Sequence, residues 1–193
     1  MTIFLILAPY GAFAMLMLVT SATASLFAAA AICLAVIAFD IVRGRSIKIL
    51  GAGSVIVFTA VGGYLALVDS AFSNSAIKFA VDVGIFLVAL GSIVMRVPFT
   101  LQYAREAVDT ETAKLPGFLR ANYIISWAWT GAALLMMAGN VALIYVPGLP
   151  LWSSLLIAFA ARNSAVYFTK WYPEYRRVKE VRHATGQHLA ETN

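Results

Sequence analysis

The stretch "ATASLFAAAAICLAVIAFDIVRGRSIK", Ala22–Lys48, decides the fold. Up to Val42 its only charged side chain is Asp40, near the end. A hydrocarbon core about 30 Å thick calls for about 20 apolar residues in a helix. Ala22–Val42 meets that length, so it predicts a transmembrane helix. Arg43, Arg45 and Lys48 follow at once. Lys and Arg gather in cytoplasmic loops, so this end of the helix is expected to face the cytoplasm.

The rest of the chain repeats the pattern. Of its 193 residues, 62% are hydrophobic and 12% charged. Soluble domains are nearer half apolar and a quarter charged. Apolar blocks predict six spans, near 3–19, 22–42, 49–68, 76–97, 121–146 and 151–167. The fold class expected is all-α: a polytopic membrane bundle of six transmembrane helices. Residues 1–169 form its one domain, and 170–193 form a basic cytoplasmic tail. "TSATAS", Thr20–Ser25, holds an A-x-A pattern like a signal-peptide cleavage site. The segment before it carries no Lys or Arg, so an uncleaved first helix is expected. The small polar residues of Thr20–Ser25 and the "VPGLP" of Val146–Pro150 are tight connections between antiparallel neighbours.

Charge supports the count. Arg43, Arg45, Lys48, Arg96, Arg105, Lys114, Arg120, Lys170, Arg176, Arg177, Lys179 and Arg182 all fall on one side of a six-span bundle. Lys78 falls on the other. Both termini are therefore expected in the cytoplasm. The net charge of +5 then reflects orientation, with anionic lipid headgroups as partner and no role for nucleic acid. Trp152 marks the outer end of the last helix; Tyr167, Trp171 and Tyr172 mark its inner end. The final "HATGQHLAETN", His183–Asn193, has no apolar face and is expected to be mobile.

The longest connection, Arg96–Tyr123, predicts a short interfacial helix between the fourth and fifth spans. Apolar Phe99, Leu101, Tyr103, Ala104 and Val108 mix there with Thr100, Gln102, Arg105 and Glu106. Pro98 suits its start, "DTET" supplies a break with capping residues, and Pro116 suits the first turn of the fifth span. Two readings stay open for this segment. It anchors two helices, or it is a binding surface or gate built from Gln102, Tyr103, Arg105, Glu106 and Asn122.

No catalytic residue is identified. The chain has no G-x-S-x-G, P-loop or H-E-x-x-H pattern. Its two histidines, His183 and His188, lie in the tail and cannot hold haem or a metal inside the membrane. Cys33 has no partner for an intrachain disulfide. A non-enzymatic protein without cofactor or metal is expected.

The polar residues in the apolar blocks carry more information. Lys78 and Asp82 stand four apart, a spacing that suits an ion pair on one helix. Asn140 suits a single interhelical hydrogen bond. Gly51, Gly53, Gly62 and Gly63 suit close helix packing. Pro9 frees the carbonyl of Leu5. Arg162 is the outlier. It sits near mid-depth in the last span, where a charge costs at least about 2.5–3.5 kcal/mol. The Cα–Cβ tilt of a helix works against its reaching the near cytoplasmic face. Asp82 is expected too far out to pair with it, and Asp40 and Glu106 too far in. Its partner is then the Leu5 carbonyl, Tyr10 or Asn163, or else a bound anion, a lipid phosphate or a water-filled cavity. Arg162, Asn163 and Tyr10 are the candidate ligand-binding residues.

Several segments together resemble the bacterial intracellular septation protein A group, also called the inner membrane-spanning YciB family. They are "DIVRGRSIK" (40–48), "VGGYLAL" (61–67), "MRVPFTLQ" (95–102), "LPGFLRANYIISWAW" (115–129) and "AGNVALIYVPGLPLW" (138–152). "FTLQYARE" (99–106) departs from the better-known members, which leaves room for a sister family of similar layout. The resemblance implies an inner-membrane protein supporting envelope integrity and division through other membrane proteins. It brings no catalytic residues. The alternative is a small transporter, channel or lipid-handling protein that uses Arg162 toward an anionic solute or lipid. A scaffold calls for a dry bundle with an exposed recognition face. A transporter of this size calls for a homodimer or a polar cavity.

Overall fold

The computed structural model describes residues 2–68, 72–146 and 148–191, with side chains described for 8–68, 72–146, 148–150 and 152–179. Pro147 and the side chains of Arg182, His183 and His188 lie outside these. The described chain is all α-helical. Its helices are α1 (Thr2–Leu16), α2 (Ala22–Val42), α3 (Ile49–Leu67), α4 (Asn74–Val94), α5 (Phe99–Arg105), α6 (Thr110–Lys114), α7 (Pro116–Tyr145) and α8 (Leu151–Glu191).

Among the described residues, four helices rather than six are long and apolar enough to cross a membrane: α2, α3, α4 and α7. The two that fall short do so for physical reasons. α1 has only 15 residues. α8 carries Arg162 and Asn163 in its apolar half and then runs on as a charged helix. The tail also differs from expectation. It is no separate segment, because the α8 backbone stays helical to Glu191, with Pro173 inside it.

The helix ends follow the local chemistry. Ser21 and Ser73 cap α2 and α4 by accepting from the N–H of Ala24 and Ala76. Pro116 opens α7, which at 30 residues spans about 45 Å at 1.5 Å per residue. α2 and α4 close in the same way, with Arg45 N bonded to Asp40 O and Val97 N to Ser92 O. This closure needs a left-handed residue. Gly44 supplies it after α2 (φ 70°), but Arg96 after α4 (φ 60°).

Extensive packing runs α1–α2–α3–α4–α7–α8, with α5 and α6 folded against the start of α7. The interior combines large apolar groups such as Phe13, Leu26 and Phe58 with many small residues. Ser25, Ser54, Ser92, Ser126 and Thr130 are buried, as are Ala132, Ala161 and Ala165 where α7 meets α8. Leu34, Ile56, Leu87, Trp127, Leu135, Trp152, Leu156 and Phe159 point outward. Large apolar groups on the outer surface and small groups at the helix contacts suit helices packing in lipid, where tails are as apolar as leucine.

The α3–α4 seam is the tightest. A Cβ on Gly53 would lie 2.5 Å from Val88, and one on Gly84 would lie 2.5 Å from Val57. Each helix offers a glycine, and the other fills it with the valine four residues along. Gly62 also meets close neighbours, whereas Gly63 faces open space and Gly51 meets Ile37 only at ordinary contact distance. Two of the four α3 glycines therefore serve close packing; Gly84 was not among those expected to.

Candidate functional site

Two polar regions stand out, one at the basic end of the bundle and one deeper. The first ties α5 to the α2–α3 turn. Lys48 is 4% exposed. Its Nζ lies 2.9 Å from Asp40 Oδ2 and 2.9 Å from Glu106 Oε1. Glu106 also accepts from the Ser46 N–H and hydroxyl, and Arg45 stands 3.4 Å from Asp40. One turn earlier on α5, Gln102 Oε1 accepts from Ile49 N at 2.8 Å and so caps α3. Thr100 donates to the Asn122 carbonyl at 2.8 Å and pairs with Ser126, which fixes α5 on α7. Burial pushes the Tyr103 hydroxyl above its ordinary range, with Tyr10, Asp40 and Glu106 adding to the effect. Lys48 sits over the Tyr103 ring. Gln102 and Glu106 are thus anchors, while Arg105 is exposed.

The second region is a cavity of about 500 Å³ between α1, α4, α7 and α8, with α5 across its basic end. It exists because α1 and α8, the two ends of the packing order, do not pack extensively on one another. Its walls are mostly apolar, including Phe13, Val81, Ile125, Trp129, Met136 and Ala158. Lys78, Asp82 and Arg162 also line it.

The Lys78–Asp82 pair expected from spacing does not form within ion-pair distance. Asp82 Oδ2 instead accepts from Asn140 Nδ2 on α7 at 2.7 Å. That bond accounts for Asn140 and draws Asp82 toward the cavity. Asp82 does not pair with Arg162 within ion-pair distance, in keeping with their different depths, although both line the cavity and interact electrostatically across it. Among the described residues, Arg162 has no hydrogen bond and no carboxylate within ion-pair distance.

The other candidates separate cleanly. Tyr10, Tyr103 and Asn122 share the cavity with Arg162. Tyr10 bonds to Ser54 rather than to Arg162. Asn163 is exposed and turns back to the Phe159 carbonyl of its own helix at 2.7 Å. The interhelical hydrogen bond expected of Asn140 is present, and Lys78 and Asp82, expected as a local pair, line the cavity together with Asn140. A signal was present: both Asp82 and Asn140 lie in the half of their helices away from the basic end.

Set against known protein families, curated proteins and solved structures, the chain matches none.

Proposed function

We propose that this chain is a non-enzymatic bacterial inner-membrane protein that binds an anionic ligand within the bilayer, as a small transporter or lipid-handling protein. One observation carries the reading: Arg162 lines a cavity of ligand size and, among the described residues, makes no hydrogen bond and has no carboxylate within ion-pair distance, with Asp82 acting on it only at longer range. Pockets for small organic ligands run roughly 300–1,000 Å³. A guanidinium without a close partner in such a space is balanced by water or by a ligand's charge. The cavity lining holds two cations against one carboxylate, which favours an anion.

The proposal places α1 and the apolar half of α8 in the bilayer beside α2, α3, α4 and α7. Met15 on α1 and Leu155, Leu156 and Phe159 on α8 are exposed, as lipid-facing residues would be. This arrangement puts both termini in the cytoplasm and sets Lys170, Arg176, Arg177 and Lys179 against anionic headgroups. The envelope-organising role implied by the septation-protein resemblance calls for a dry bundle, and the cavity weighs against it.

Native mass spectrometry of the full chain released from membranes tests the reading. Wild type should retain an anionic adduct that Arg162→Met loses while still melting cooperatively. If neither protein carries an Arg162-dependent adduct, the ligand-binding reading fails and the search turns to protein partners.

A further inference from the structure

The cavity lining also names the class of ligand, an inference that rests on the binding role proposed above. Arg162 meets a space whose neutral polar groups are largely committed. Tyr10 is bonded to Ser54, and Thr100 to Ser126 and the Asn122 carbonyl. Asn122 donates to Phe118 O at 3.0 Å, and Asn140 to Asp82 at 2.7 Å. Trp129 Nε1 donates to Thr169 Oγ1 at 2.9 Å, and that hydroxyl donates on to Ala165 O at 2.8 Å. Tyr103 is the exception, at the end covered by α5.

A sugar phosphate or nucleotide buries many hydroxyl and amide groups, each costly to leave without a partner. This cavity offers few such partners. It offers apolar surface on α1, α4, α7 and α8, with a guanidinium partway along. Asp82 further selects against multiple negative charge, because it leaves an excess of one positive charge over Lys78 and Arg162.

We infer that the ligand is a single-chain monocarboxylate, an organic acid whose apolar body fills the cavity and whose carboxylate pairs with Arg162. A lipid phosphate presents a similar charge, and the competitors below separate the two sources. The apolar body lies against Trp129, Met136 and Ala158, and the carboxylate lies on the α8 side, facing α4.

Equilibrium binding of radiolabelled laurate to the full chain in phosphatidylcholine nanodiscs tests this. Competitors are dodecanol, succinate and phosphatidylglycerol. Laurate should bind saturably, with each competitor weaker by about tenfold or more. Arg162→Met should lose binding by removing the charge, and Ala158→Phe by filling the cavity with the charge intact. The second variant decides the matter if the first does not fold. Succinate competing as well as laurate, with laurate binding kept in Ala158→Phe, would overturn the monocarboxylate while leaving an Arg162-dependent anion site. Phosphatidylglycerol outcompeting laurate would assign the site to a lipid headgroup instead. Laurate binding unchanged in both variants would remove the cavity from consideration altogether.

Discussion

At the basic end, Lys48 stands between two carboxylates at 2.9 Å each, with Arg45 and Ser46 completing the set. Deeper in the bundle, Arg162 faces a cavity with no such company, and Asp82 is held by an amide rather than a cation. Both arrangements put charge where water is scarce. The first satisfies every charge within the protein and joins three segments, the α2 end, the α3 start and α5. The second leaves a charge facing open space. A structural ion pair and the proposed binding site would differ in this respect: one loses stability when a member is removed, and the other would lose ligand.

The sharpest test of that contrast is Lys48→Met. It leaves Asp40 and Glu106 facing one another without their shared cation. Removing one member of a buried pair costs about 3–5 kcal/mol, and the partly exposed carboxylates place the expected loss near the lower end, about 3 kcal/mol. Chemical unfolding in detergent would measure it. A loss no larger than that of an exposed lysine would break the comparison.

Gly84→Ala probes the seam that holds the paired half rigid. The new Cβ would meet the Val57 branch at 2.5 Å. Overpacking of this kind costs about 1–3 kcal/mol. Gly63→Ala is the control, because nothing lies near its Cβ. It should be neutral or should stabilise the helix by about 0.5–1 kcal/mol. Equal effects from the two would mean that α3 and α4 do not interlock through these glycines.

Arg162→Met should act in the opposite sense to Lys48→Met. No hydrogen bond or close ion pair is lost, and the relieved burial cost outweighs the lost longer-range attraction for Asp82. The ligand-free protein should gain about 1 kcal/mol, a fraction of the insertion penalty of a buried arginine. A clear loss of stability in ligand-free protein would show that Arg162 is structural after all.

The smallest effect concerns Asp109, an exposed carboxylate that caps α6. It accepts from Thr112 N at 2.8 Å and Thr112 Oγ1 at 2.7 Å. The Thr112 N–H, more than any other group, holds its pKa below the ordinary carboxylate range. A depressed value in the folded state means the cap contributes above the unfolded pKa and is lost as pH falls through the folded one. Hydrogen exchange should show α6 opening in acid, and Asp109→Asn should flatten that dependence. An α6 equally protected across the acid range would remove the cap from the account.

Much of the scaffold was legible because its signals are local. Apolar runs bounded by serine, glycine and basic residues set α2, α3 and α4 to within a few residues. Pro116 marked the start of α7, whereas "DTET", expected to be a break, starts the short helix α6 behind its Asp109 cap. The errors lie where one local feature was asked to settle a wider question. Basic composition suggested a tail, yet the α8 backbone continues through it. The i, i+4 spacing of Lys78 and Asp82 suggested a pair, yet an amide on α7 claims the carboxylate. Glu106 and Ser46 meet across 60 positions of sequence, a distance no periodicity spans. Arg162 stood out by its cost alone, but its surroundings depend on how α1 and α8 part at the end of the packing order.

That last helix has a mechanical consequence. At 41 residues and 1.5 Å per residue, α8 is about 60 Å long, twice the thickness of a hydrocarbon core. One half borders the cavity, and Gly139 on α7 gives it a close seat against Ile157. The other half extends beyond the bundle. Such a rod is a lever with its fulcrum at the seat. If the cavity takes up the proposed ligand, a small tilt of the seated half would be magnified at the far tip, where anything that grips the helix would feel it as a stroke.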